Sequence, residues 1–140
     1  MRSHLFVGAF LVAAVLTVGA VATTGDGVSP VRQSAAITLT EPTLVGSTIV
    51  QGPVLFIHDA EKMSRGEPCT TIQLFDPENG PGEELVSFHC IPKARRVVST
   101  FTVTTRPNIE LGFGRVLVEY QFAGDAEGHG VPPSKPALAH

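Results

Sequence analysis

The sequence predicts an all-β domain: a small sandwich or barrel of about seven short antiparallel strands, with one short helix near 59–65. Apolar residues between positions 35 and 128 recur at every second position, the period of a half-buried strand. β-Branched residues dominate those runs, and proline and glycine punctuate them at turn-like intervals.

In chain order, "AITLT" places Ile37 and Leu39 on one side and its threonines on the other. "STIV" and "VLFIH" flank Gln51-Gly52-Pro53, which reads as a turn or a strand kink. "DAEKMSR" is helical for barely two turns, with Asp59 able to cap it and Gly66 able to stop it. "TTIQLF" and "ELVSFHC" form a hairpin around "DPENGPGE", where Pro77 suits the second position of a turn. "STFTVTT" sets Phe101 and Val103 against Thr100, Thr102 and Thr104. "RVLVEYQF" sets Val116, Val118, Tyr120 and Phe122 against Arg115, Glu119 and Gln121.

The ends of the chain read differently. Residues 1–22 have the form of a secretory signal peptide: Arg2, an apolar or small run from Leu5 to Val18, and Ala20-Val21-Ala22 as an A-x-A cleavage site. That run is shorter than the roughly 20 residues of a spanning helix, so the mature chain is expected to be secreted or periplasmic, without stable membrane insertion. Residues 23–34 read as a flexible lead-in, 35–128 as a single β-domain, and 129–140 as a Pro-rich disordered tail. Loss of Arg2 takes the 10 basic residues to 9 against 13 acidic ones, a formal charge of −4. A nucleic-acid partner is therefore not expected, since such binders carry a basic surplus. The one basic cluster, Lys93 to Arg96, reads as a solvated turn.

The two cysteines, Cys69 and Cys90, are expected to form a disulfide, because an exported chain meets an oxidising compartment. A bridge at the open end of the 70–90 hairpin closes a loop of about 20 residues, worth roughly 3 kcal/mol on chain entropy. Placing the cysteines opposite one another pairs Ile72 with Ser87 and mixes the two faces. A one-residue slip pairs Ile72 with Phe88 and restores the faces, so a bulge near Cys69 is expected.

His58, His89 and His129 each sit at a strand end or just past a loop, with Asp59 beside His58 and with Asp125 and Glu127 just before His129. Imidazole and carboxylate suit zinc or copper, and the fold is what brings such ligands together. The candidate metal set is His58, His89 and His129, with Asp59 or Asp125 able to join it. The plainer expectation is no cofactor and exposed histidines, since no close H-x-H, H-x₃-H or C-x-x-C spacing is present. A blue-copper site is disfavoured, because "IPKARRVVST" after Cys90 holds neither histidine nor methionine. No catalytic residues stand out: the chain lacks a G-x-S-x-G elbow, and "DPENGPGEE" misses the spacing of a calcium loop. "GDAEGHG" is polar and glycine-rich, which makes Asp125, Glu127 and His129 a candidate ligand-facing loop.

The segments "FIHD", "GEPC", "SFHC" and "EYQFAGDAEGHG" resemble those of small exported bacterial proteins with no named activity, over roughly residues 44 to 131. The resemblance implies that the His-Asp loop, both cysteines and the "GDAEGHG" loop belong to one feature. The favoured expectation is a non-enzymatic, disulfide-stapled module of the cell envelope or exterior that binds a protein or small ligand. A metal-binding protein is the second expectation, and an enzyme of unknown class the third.

Overall fold

The computed structural model describes residues 31–133. The expected leader at 1–22, the lead-in up to residue 30 and the tail beyond 133 lie outside the described residues. The fold is all-β: eight strands in one mixed sheet, with a single short helix.

The chain begins with a long hairpin, β1 (Arg32–Val45) against β2 (Thr48–Asp59). Gln51-Gly52-Pro53 makes no turn here. The register slips between Leu39 and Thr43 on β1, and Gly52 takes a positive φ of 89° opposite the slip, so β2 bends and continues. Helix α1 (Ala60–Ser64) follows at once, as expected from its ends. The Asp59 carboxylate accepts from the N–H groups of Glu61 and Lys62 at 3.0 and 3.1 Å.

β3 (Thr70–Asp76) and β4 (Gly80–Phe88) make the expected hairpin, in neither register considered from sequence. Ile72 pairs with Val86 and Thr70 with Phe88, which keeps both apolar residues on the core side. The irregularities fall after Ile72 and around Gln73, not beside Cys69.

The second half holds β5 (Ile91–Ala94), β6 (Thr102–Pro107), β7 (Arg115–Gln121) and β8 (Glu127–Gly130). Strand order is β4-β3-β2-β1-β7-β8-β5, and β6 occupies the other edge of β7. One edge of β7 is shared: Arg115 and Val116 run parallel to Thr43 and Leu44, whereas Glu119 to Gln121 pair antiparallel with β8. The sheet is therefore mixed rather than wholly antiparallel. β8 also carries strand structure through His129 and Gly130, so the expected boundary after residue 128 falls inside a strand. At the other end, β1 begins at Arg32, inside the expected lead-in.

The two halves meet across one core of Leu39, Val45, Val50, Val54, Phe56, Ile72, Leu117, Tyr120 and Phe122. Phe56 of β2 meets Tyr120 of β7 edge to face at 5.2 Å, and Phe101 closes on Phe56 at 5.3 Å. A bulge opposite Thr104–Thr105 shifts the alternation of β7, which buries Leu117 with Tyr120. Glu119 and Gln121, expected on the solvent face, are buried under β8 and the chain after β5. Arg95 grips the Glu119 carboxylate with two bonds, at 2.7 and 2.9 Å. The Gln121 amide donates to the backbone carbonyls of Arg96 and Asp125. Among the described residues, no helix is long and apolar enough to cross a membrane.

Candidate metal centre

Alternation along β2 turns Val54, Phe56 and His58 into the core in sequence, so His58 is the last inward residue before Asp59 caps the helix. Cys69 directly precedes β3 and is tied to that corner by the Asp59 N–H, which donates to the Cys69 carbonyl at 2.8 Å. Cys90 lies between β4 and β5, outside either ladder. β8 brings His129 opposite Tyr120. Four residues from four separate chain segments thus converge at one end of the core, with residual exposures of 4% for His58, 2% for Cys69, 7% for Cys90 and 1% for His129.

The sulfurs of Cys69 and Cys90 are 2.8 Å apart, and both cysteines are free. The Cys90 N–H donates to the Cys69 sulfur at 3.3 Å. One nitrogen of His58 and the two sulfurs all lie within 4.8 Å of one another. His129 approaches from the far side, its Nδ1 3.7 Å from the Cys90 sulfur. The two imidazoles touch at a tilt of 38° with ring centroids 4.2 Å apart, and Tyr120 stacks on His129 at 4.9 Å. The Tyr120 and Thr70 hydroxyls share a buried hydrogen bond beside the cluster.

Both nitrogens of His58 and Nε2 of His129 are buried without a hydrogen-bond partner in the protein. Such orphaned groups cost about 1–3 kcal/mol each and are rare in native cores. Here one of them, a His58 nitrogen, lies within 4.8 Å of two free cysteine sulfurs, and imidazole with thiolate is the donor set of a borderline or soft metal ion.

The electrostatics keep the histidines uncharged. Burial lowers the pKa of His58 despite the opposing fields of Asp125 and Asp59. Burial, and then the adjacent His58, lower His129 to about 4 against Asp125 and Glu119. Burial and the Cys69 sulfur push the Cys90 thiol upward. Neutral imidazole is the form that binds metal, and a cation between the sulfurs reverses the bias against thiolate.

The residues anticipated from sequence separate into two groups. His58 and His129 come together, and Cys69 and Cys90 lie beside them, their sulfurs close but not at the distance of the expected disulfide. His89 is exposed, one residue from Cys90 but turned to solvent. The Asp59 carboxylate is committed to the helix cap. Asp125 is half-buried, accepting from the Gln33 amide at 3.3 Å and from the Glu127 N–H at 3.0 Å. "GDAEGHG" is no open loop at its end: Glu127 is half-buried, 3.7 Å from His129 Nδ1, and His129 itself faces inward. A pocket of about 120 Å³ opens beside the cluster, lined by Cys69, Arg32, Asp59, Lys62, Gln73 and Glu84 among others.

Comparison with protein-family models, with curated proteins and with solved structures gave no match. The site is accordingly read from its own geometry.

Proposed function

We propose that this chain is an exported metal-binding protein that holds a zinc-class ion through Cys69, Cys90 and His58, with His129 as the fourth ligand. The observation that carries this reading is the placement of two free cysteine sulfurs beside buried imidazole nitrogens that have no other partner. Charge favours a divalent ion: two thiolates and two neutral imidazoles around Zn²⁺ sum to zero, which suits a site this dry. Monovalent copper on the same two thiolates leaves a net negative charge buried. Tetrahedral zinc with Zn–S near 2.3 Å spaces its sulfurs by roughly 3.8 Å, so binding opens the Cys69–Cys90 contact by about 1 Å. Both cysteines lie outside the strand ladders, where such a shift disturbs no sheet pairing.

The test is native mass spectrometry of the reduced protein after exposure to zinc or copper. One zinc per chain, lost in His58→Ala and in Cys69→Ser, is the expected result. Absence of any bound ion overturns the reading.

The 2.8 Å approach of the sulfurs supports a second reading, a Cys69–Cys90 disulfide in an oxidising compartment. It makes the protein a stapled β-module, and denatured intact mass, lower by two hydrogens, reports it.

A further inference from the structure

We propose that the centre is gated by thiol–disulfide exchange: a small disulfide oxidant converts Cys69 and Cys90 to a disulfide and thereby ejects the ion. This rests on the metal-binding reading above and adds a substrate class, low-molecular-weight disulfides, to the same site. Its basis is the position of the two sulfurs. At 2.8 Å they stand between the roughly 2.05 Å of a disulfide and the roughly 3.8 Å of two thiolates on a tetrahedral ion. The two end states exclude each other, because a disulfide has no thiolate to donate and leaves only the imidazoles, too few ligands for a structural zinc site.

The balance is closed by the oxidant alone. One cysteine thiolate attacks a sulfur of the oxidant R–S–S–R, which forms a mixed disulfide and expels one RS⁻. The second cysteine thiolate attacks the protein sulfur of that mixed disulfide, which forms the Cys69–Cys90 bond and expels the second RS⁻. Two electrons pass from the cysteines to the oxidant, its S–S bond breaks, and both RS⁻ take protons from solvent. The zinc ion leaves to solvent as Zn²⁺.

Three features make the exchange feasible in a core this closed. The zinc-loaded, dithiol and disulfide forms of the cluster all carry zero net charge, so no state strands a buried ion. Movement is confined to Cys69, at the entry to β3, and Cys90, in the β4–β5 connection, both unpaired in the sheet. The polar pocket beside Cys69, with the carboxylates of Asp59 and Glu84 and the cations of Arg32 and Lys62, gives water and a departing ion a route out.

The experiment loads the reduced full-length exported protein with zinc and titrates it with glutathione disulfide, following freed zinc with a chromogenic chelator and disulfide formation by mass. The expected result is one zinc released per two hydrogens lost, with dithiothreitol restoring zinc binding. Zinc retained after the disulfide has formed, or released without it, overturns the gate while leaving the metal site standing. A loaded protein in which neither event occurs at millimolar oxidant overturns it equally. Reduced protein that takes up no zinc overturns the metal site, and the gate with it. Cys90→Ser carries a separate readout: it is expected to stop at the glutathione mixed disulfide on Cys69, and failure to trap that adduct in folded protein counts against the stepwise exchange.

Discussion

The imidazoles of His58 and His129 lie against each other in the core, 4.2 Å between centroids and tilted by 38°, although 71 positions (129 − 58) separate them in the chain. Burial lowers the pKa of both, the neighbouring His58 lowers that of His129 further, and both rings are buried. The contact is a product of topology. β2 delivers one ring at its C-terminal end, and β8 delivers the other through its pairing with β7.

Acid is expected to destabilise the metal-free protein through these two rings. Their folded pKa values lie below the ordinary 6.5, so the unfolded chain binds more protons between that value and about 4, where His129 titrates in the fold. Stability is therefore complete above pH 6.5 and falls as pH drops through that window. For His129 alone the loss is on the order of 3 kcal/mol. Glu127, raised by burial and by Asp125, opposes the trend at the acid end. Urea denaturation at intervals from pH 7.5 to 5 measures the slope above the carboxylate range, and a flat profile there contradicts neutral burial of the rings.

Zinc uptake is expected to release protons. Ligation by two thiols that start protonated frees up to two, so affinity rises by up to about 100-fold per pH unit below the thiol range. Calorimetric titration in buffers of differing ionisation enthalpy counts them. A count near zero at pH 7 rules out thiolate ligation by both cysteines.

The strands were legible because their signal is local. Ile37 and Leu39, then Phe101 and Val103, alternate with threonine and fall on the core side as the period demands. The helix was legible for the same reason, since Asp59 and Gly66 mark its ends within a few residues. β5 and β8 were not legible. Each is four residues long, and "IPKA" and "EGHG" have neither alternation nor β-branched density, so only their pairing with each other and β7 makes them strands. That is also why His129 looked like loop chemistry. Its burial depends on a partner strand far away in sequence, and no spacing rule registers it. Cys69 and Cys90 are expected as a pair from the hairpin, and the resemblance groups them with the His58 loop, but the register that sets them is displaced from both that the sequence suggests.

His89 and His58 provide a direct contrast. His89→Ala is expected to leave zinc stoichiometry unchanged and stability within about 0.5 kcal/mol, the usual range for exposed positions. His58→Ala is expected to abolish zinc retention through dialysis. Atomic absorption after dialysis separates them, and zinc loss in the His89 variant returns that residue to the ligand set.

Tyr120 supports the centre without touching an ion. Its ring stacks on His129 and meets Phe56 and Phe122, while its hydroxyl shares a hydrogen bond with Thr70. Tyr120→Phe keeps the ring contacts and removes one buried hydrogen bond, an expected loss of about 1 kcal/mol with zinc stoichiometry intact. Thr70→Val removes the Thr70 hydroxyl and leaves the buried Tyr120 phenol stranded, so it is expected to cost more. Because the two changes dismantle one shared bond, the double variant should lose less stability than the sum of the singles. Denaturant midpoints for all four proteins complete the cycle. Strictly additive losses mean that the Tyr120–Thr70 bond contributes no coupling, and the anchoring of Tyr120 against His129 through Thr70 then fails.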